Sequence, residues 1–516
     1  MPSKSSMNEP VPVVKNLEDL YPKDALESQR ARFEHLKIRF SELYGRSPQF
    51  IARSPGRVNL IGEHIDYSLY EVLPMAIAAD VLIAVSPVPR KNQEEVKVQV
   101  ENLNPHKFKS GEFSVQKDGN VEIDASTLQW TNYFKAGFSG AVDLLRKQNS
   151  CFSSCGMQVL IDGTVPAGGG LSSSAAFVCA SALATLRANG SDKVPKKELV
   201  ELAIVSERSV GVNSGGMDQA ASVFSVRGDA VSISFSPELY AEALPFPKTD
   251  PPITFMIAQS FIAADKHVAA PEQYNLRVVE CTLAAEVLAA KLRLKLKTDS
   301  GPLGSSLRGF QNAYYESEKA DQRSSAEEQI GVMLSLIDKL LDNSEGYTRE
   351  EIASTLSMSV EALERRFMTK FPIRAERFHL GLRARHVFTE ALRVQAFKQL
   401  LLNPPADADT VLLPRLGDIL NESHTSSRDV YVHSCPEIDE MCEIAREAGS
   451  YGGRVTGAGW GGCSVHLVPK DRVEAIEAAW EEKYYRRREP DITKEKLAEA
   501  VVVSEPGHGS MIIDLS

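Results

Sequence analysis

The stretch Val165-Pro166-Ala167-Gly168-Gly169-Gly170-Leu171-Ser172-Ser173-Ser174-Ala175 decides how the rest of the chain is read. Upstream, Met157 to Ile161 alternates like a strand and stops at Asp162-Gly163, a turn signal. Downstream, Ser173 to Leu186 is rich in Ala and Leu and closes at Asn189-Gly190, as a helix end does. Adjacent glycines between strand and helix let backbone N–H groups approach a ligand without side-chain obstruction. The helix N-terminus adds unpaired donors and a partial positive charge. Hydroxyls from Ser172, Ser173 and Ser174 can bond phosphate oxygens or a hydrated cation. Together these predict an anion site suited to a nucleotide triphosphate. Taken alone, the window also fits a Gly-rich turn with a serine cap. It is not a Walker loop, since GxxxxGK[ST] is missing, and the chain has no HRD and DFG set of a protein kinase.

Working outward, Asp24 to Tyr44 carries apolar residues at helical spacing, and Phe50 to Val88 changes to β-branched runs punctuated by Gly and Pro. A strand is predicted over Ile253 to Ala258, with long helices over Tyr274 to Leu294 and Phe378 to Leu402. Between about 297 and 374 the chain is polar, with short helices, and DQRSSAEEQ reads as a mobile surface loop. Arg454 to Val468 returns to Gly-rich, strand-like character. Strands and helices are interspersed without a regular βαβ repeat, which predicts an α+β protein. The expected organisation is a disordered tail over 1–20, an N-terminal domain over 21–235 and a C-terminal domain over 236–516 with an insertion at about 297–374.

The 516 residues are 43% hydrophobic and 25% charged, enough for a sizeable core and unlike collagen, coiled coil or wholesale disorder. The 58 basic and 69 acidic residues give a net charge of −11, which argues against nucleic acid or an anionic membrane as partner. The seven cysteines form no CxxC pair or zinc spacing, so reduced thiols are expected. The most apolar stretch, Val72 to Val85, is broken by Pro74 and Asp80 and is too short to span a membrane. With no leader-like segment at the start, a soluble cytoplasmic protein is expected.

A second constellation is Ser54-Pro55-Gly56-Arg57-Val58-Asn59-Leu60-Ile61-Gly62-Glu63-His64-Ile65-Asp66-Tyr67. Arg57, Glu63, His64 and Asp66 crowd an otherwise apolar segment and offer the donors and acceptors that a polyhydroxy ligand requires. On spacing alone, a surface loop with internal salt bridges remains open.

SPGRVNLIGEHIDY resembles the galactokinase signature, VPAGGGLSSSAA the ATP loop of the GHMP small-molecule kinases, and GGRVTGAGWGGC, Gly452 to Cys463, their third motif. SERSVGVNSGGMDQA, Ser206 to Ala220, and EQYNLRVVEC around Tyr274 also match, and the order is the family's. The resemblance covers roughly residues 20 to 516 and includes a long middle insertion seen in fungal galactokinases and in N-acetylgalactosamine kinases.

The resemblance implies a two-domain GHMP fold with the active site in the interdomain cleft, and phosphorylation of galactose by ATP with Mg2+. It makes Asp218 of GGMDQ the general base, with Arg57 beside it as the catalytic cation that also lines the sugar site. Glu63, His64, Asp66, Gly215 and Tyr274 become sugar contacts together with Asp218. Gly168, Gly169, Gly170, Leu171, Ser172, Ser173 and Ser174 become the phosphate cradle, Trp130 and Tyr133 flank the adenine, and Lys266 reaches the nucleotide. Ser174 and Glu207 become the magnesium ligands. Taken as bare residues, Tyr274, Trp130 and Tyr133 read as core aromatics, and Glu207 in ELVELAIVSER reads as a solvated helix face.

Three alternatives stand beside this: an N-acetylgalactosamine kinase, a galactose- and ATP-binding sensor that acts on a transcriptional repressor, alone or as a bifunctional protein that keeps kinase activity, and another GHMP kinase. Gly211-Val212-Asn213-Ser214 and Tyr274-Asn275-Leu276 resemble the galactokinase side, and Ser174-Ala175, absent from the sensor's loop, favours an enzyme. GRVNLIGEHIDY disfavours the third alternative.

Overall fold

The computed structural model describes residues 6–90, 96–115, 121–124, 129–166, 169–210, 215–262, 270–317, 324–405 and 407–515. Among them the strands are β1 (Val13–Val14), β2 (Phe50–Ile61), β3 (Leu73–Val88), β4 (Val96–Asn102), β5 (Gly111–Val115), β6 (Gly156–Gly163), β7 (Asp229–Ser234), β8 (Tyr240–Pro245), β9 (Ile253–Gln259), β10 (Gly452–Thr456), β11 (Cys463–Pro469), β12 (Val501–Ser504) and β13 (Met511–Asp514). They form a seven-stranded sheet in the order β1-β13-β2-β3-β6-β4-β5, a four-stranded sheet β10-β11-β9-β12 and a ribbon β7-β8. The seven-stranded sheet mixes parallel and antiparallel pairs, the other two are antiparallel, helices are interspersed with them, and the fold is α+β.

β2 is buried along its whole length, its polar residues Arg53, Ser54, Arg57 and Asn59 included. Helix α1 (Leu26–Tyr44) covers one face of the large sheet, packing Phe33, Leu36 and Phe40 on Ile51, Leu82, Ala84 and Leu160. The other face carries α2 (Thr131–Gln148) and α3 (Ser173–Ala188). α3 is buried continuously from Ala175 to Thr185, which is why its composition is Ala-rich on every side. The smaller sheet is covered by the helices Pro436–Glu447 and Val473–Trp480, whose Met441, Ile444, Ile476 and Trp480 pack on Met256, Ala258 and Val468.

Two expectations need correction. Of the expected tail, residues 1–5 lie outside the described residues and residues 6–20 are not free: they dock, burying Met7, Val11 and Leu20, and β1 pairs parallel with β13. A two-residue strand is too short for periodicity to show, and its partner lies at the other end of the sequence. The segment DQRSSAEEQ is not a loop throughout. Ser325 caps the helix Ala326–Leu340, its hydroxyl accepting from Glu328 N–H at 3.1 Å while Ser325 N–H donates to the Glu328 carboxylate at 2.7 Å. That reciprocal pair is a capping box, a helix-start signal inside a polar run. The helices Leu307–Ser317, Ala326–Leu340 and Val360–Phe367 bury Phe310, Met333 and Phe367 in the main core, so the insertion is a packed helical layer. Among the described residues no helix is long and apolar enough to cross a membrane.

Candidate active site

The phosphate-loop window and the charged segment after β2 meet at Arg57. The β2–β3 register shifts between Pro55 and Arg57, and this irregularity aims the guanidinium out of the ladder. Its Nε donates to Asp218 Oδ1 at 2.7 Å, Nη2 lies 2.7 Å from the same oxygen, and Nη1 donates to the Gly170 carbonyl at 2.8 Å. Asp218 stands in the first turn of α5 (Met217–Phe224), where a helix N-terminus favours negative charge. Its side chain is 21% exposed while that of Arg57 is 5% exposed, so the carboxylate is the accessible member of the pair.

Glu63, His64 and Asp66 follow β2 directly and are buried. Burial pushes the Glu63 carboxyl up to about 7 against the pull of Arg454 and Arg57. It pushes Asp66 up to about 6, with the charge of Asp218 adding to the effect. A Cβ on Gly215 would lie 2.3 Å from Asp66 Oδ2, so only glycine permits this approach of the GGMDQ turn to the carboxylate. Burial holds His64 down to about 3, so its ring is neutral. Its Nε2 faces the Ala458 carbonyl at 3.0 Å and so carries the proton, while Nδ1 accepts from the Tyr67 hydroxyl at 2.9 Å. Both ring nitrogens are thus engaged within the protein. To bond a sugar hydroxyl, His64 has to exchange one of these partners. Tyr274 opens the helix Tyr274–Lys291 with its ring 5.5 Å from His64 and 5.9 Å from Tyr67.

The third motif is the β10–β11 hairpin, and its loop closes on the phosphate loop. Gly457 has φ +85°, and a Cβ there would lie 2.4 Å from the Gly170 carbonyl oxygen. Trp460 N–H donates to the His433 carbonyl at 2.7 Å, and its ring packs 5.9 Å from His64. Cys463 is buried and its thiol is pushed up by that burial, which suits a packing residue.

Beside α3 lies a cavity of about 840 Å³ lined by Ser173, Ser174, Phe177, Trp130, Tyr133 and Phe108 among others. Trp130 and Phe177 stack with centroids 5.9 Å apart and planes at 14°. The cavity therefore has a flat aromatic end and a hydroxyl-lined end at a helix N-terminus, the two needs of a nucleotide. Ser172 Oγ is buried with no hydrogen-bond partner among the described residues, a polar atom that a bound phosphate would satisfy. Glu207 ends α4 (Lys196–Glu207) and is 1% exposed, not on a solvated face; the Gln219 amide donates to it. Burial raises the Tyr133 hydroxyl and the charge of Glu207 raises it further; Cys179, on α3, feels Glu207 and Asp218 in the same way. α4 and α5, which carry the two carboxylates, both pack on α3, and the Gln219–Glu207 hydrogen bond ties them together.

Gly168 and Lys266 lie outside the described residues. The cavity also takes Arg32 and His35 from α1, residues the sequence did not single out. Phe177 was legible in principle, since it stands three residues after Ser174 and so shares its helix face.

The galactokinase galactose-binding signature matches residues 38–87, the GHMP kinases N terminal domain 132–226 and the GHMP kinases C terminal family 411–486. The chain is 41% identical over 500 residues to a galactokinase of Saccharomyces cerevisiae, covering 92% of this chain and 94% of that protein. It is 39% identical over 508 residues to a galactokinase of Schizosaccharomyces pombe, covering 95% and 96%. The crystal structure of Lactococcus lactis galactokinase complexed with galactose superposes with a TM-score of 0.65 at 25% identity, covering 93% of this chain and 99% of that one.

Proposed function

From the premise that the chain belongs to the galactokinase family, within the GHMP kinases, we propose that it transfers the γ-phosphoryl group of ATP to the C1 hydroxyl of galactose, giving galactose 1-phosphate and ADP. The observation that carries the chemistry is the Arg57 bridge, with Asp218 at 2.7 Å on one side and the Gly170 carbonyl at 2.8 Å on the other. One side chain thereby ties the sugar's proton acceptor to the phosphate loop.

In this reading Asp218 takes the C1 proton as the sugar oxygen bonds to the γ-phosphorus and the bond to the β–γ bridging oxygen breaks. Arg57 holds Asp218 Oδ1 in place through Nε and Nη2 and stabilises the charge that develops on the transferring group. Most of the acceleration comes from holding the hydroxyl in line with the phosphorus and from this charge complement. Glu63, Asp66 and Tyr274 bond the sugar's hydroxyls, and Trp130 and Tyr133 receive the base.

Mg2+ fits the donor set of Ser174 and Glu207, a hydroxyl and a carboxylate, with phosphate oxygens and water left to complete the coordination. Bound there it supplies neutralisation of the triphosphate's charge. The same reading places the enzyme in the cytoplasm, where ATP is available and the seven thiols stay reduced. A coupled ADP-release assay with galactose, N-acetylgalactosamine, glucose and no sugar tests it. Turnover with galactose at a kcat/KM well above the other two is expected. Equal turnover of N-acetylgalactosamine, or binding without turnover, would move the assignment to the kinase or sensor alternative.

A further inference from the structure

Behind the sugar-facing wall lies a cation that the reaction itself does not use. Arg454, in β10, is fully buried, so it touches neither solvent nor substrate. Its Nη1 lies 3.3 Å from Glu63 Oε2 and 3.5 Å from the Leu60 carbonyl, and Nη2 is 3.8 Å from Glu390 Oε1. Glu390, on the helix Leu380–Leu402, is otherwise satisfied: it accepts from Gly62 N–H at 3.0 Å, from the Ser423 hydroxyl at 2.7 Å and from Arg393 Nε at 2.8 Å. Among the described residues no second side chain donates to Glu63; its other donor is the Gly457 backbone N–H. Arg57 acts on it only through space, because all three guanidinium nitrogens face Asp218 and Gly170.

We infer that Arg454 is a positioning residue for sugar recognition, holding the Glu63 carboxylate ionised and oriented from the side away from the ligand. This rests on the reading of Glu63 as a sugar contact. A cation in contact lowers a carboxyl's pKa by about 1–3 units, and at Glu63, where burial pushes the carboxyl up, the opposing pull of Arg454 is the largest, ahead of Arg57 and the Gly457 N–H. The other charged and titratable groups around Glu63 are Arg57 on β2, Asp218 on α5, Tyr274 on the helix Tyr274–Lys291, and Glu390 and His386 on the helix Leu380–Leu402. His386 is held neutral by burial and donates from Nε2 to the Glu63 carbonyl at 3.2 Å, so it does not replace the missing charge.

The test measures kcat and the separate KM values for galactose and ATP from pH 6 to 9 in wild type, Arg454→Met, Arg454→Lys and Glu63→Gln, and in the Arg454→Met/Glu63→Gln double variant. In Arg454→Met the galactose KM at pH 7 should rise about ten- to a hundredfold, the loss of one charge-assisted contact, with the ATP KM unchanged. That KM should recover toward pH 9, its midpoint displaced upward by more than one pH unit. Arg454→Lys should restore most of the loss and keeps the test valid if the methionine variant does not fold. In the Glu63→Gln background Arg454→Met should add almost nothing. A flat pH profile with both KM values raised together, or full additivity in the double variant, would overturn the inference. A Glu63→Gln variant with normal galactose KM would instead remove the sugar-contact reading. If Arg454→Met still raised that KM, the role of Arg454 would not run through Glu63.

Discussion

Gly457→Ala asks how tightly the two loops must interlock. The added methyl would sit 2.4 Å from the Gly170 carbonyl oxygen, and the loops would have to part by about 0.6 Å to reach 3.0 Å, the closest that real Cβ atoms come. Both sides are backbone, so no side chain can swing away. The Gly170 carbonyl accepts from Arg57 Nη1 at 2.8 Å, and the same guanidinium holds Asp218. Displacing Gly170 by that amount breaks or weakens a charge-assisted hydrogen bond of about 1.5–3 kcal/mol. Entered in the barrier, this is about a ten- to hundredfold loss of kcat. Alanine at φ +85° adds backbone strain of about 1–2 kcal/mol to the folded state. Gly190→Ala separates the two effects: its φ is +88° and nothing lies within 4 Å of the added methyl. It should lose similar stability and keep full turnover. Galactose-dependent ADP release and thermal melting on both variants decide the matter. Gly457→Ala with a kcat within twofold of Gly190→Ala would refute the interlock.

Asp218→Asn should lower kcat by about 10²–10⁴-fold, with galactose affinity by calorimetry retained within roughly tenfold; near-normal turnover would remove Asp218 as the base. Ser174→Ala should lower kcat about tenfold or more and raise the Mg2+ concentration needed for half-maximal rate, with melting almost unchanged because the side chain is only partly buried. Glu63→Gln should alter the pH dependence of stability without sugar. The folded carboxyl, raised to about 7 from 4.5, keeps a proton the unfolded chain has released. Wild type is therefore most favoured over the variant below pH 4.5 and loses on the order of 3 kcal/mol of that advantage as pH rises through 7; a difference in melting that stays constant from pH 4.5 to 8 would contradict the buried carboxyl.

What could be read in the sequence was local. The strand, glycine run and helix from Met157 to Ala188 announce themselves because the apolar period changes across a turn. Arg57, Glu63 and Asp66 stand out because charges are rare inside an apolar run. Glu207 was misplaced by its bare context, since the charged neighbours that suggest solvent lie on another face of α4 from the one packed beside Tyr133. Arg454 stands inside the third motif, but nothing there points to Glu63, and Glu390 carries no signal of its own. Each is an ordinary charged residue in its own segment, and their meeting with Glu63 depends on three elements brought together across more than 300 residues of sequence. The pairing of β1 with β13 is hidden for the same reason.

That last pairing bears on how the chain is made. Ile512 lies between Val13 on one side and Ala52 on the other. The slot beside β2 therefore stays open until roughly 460 further residues have been synthesised, about half a minute to a minute and a half at ~5–20 residues per second. Through that interval Phe50–Arg53 of β2 offer a bare ladder of N–H and C=O groups, the kind of edge on which a neighbouring nascent chain can add. Growth temperature and chaperone supply should then govern the yield of native enzyme far more than its equilibrium stability does.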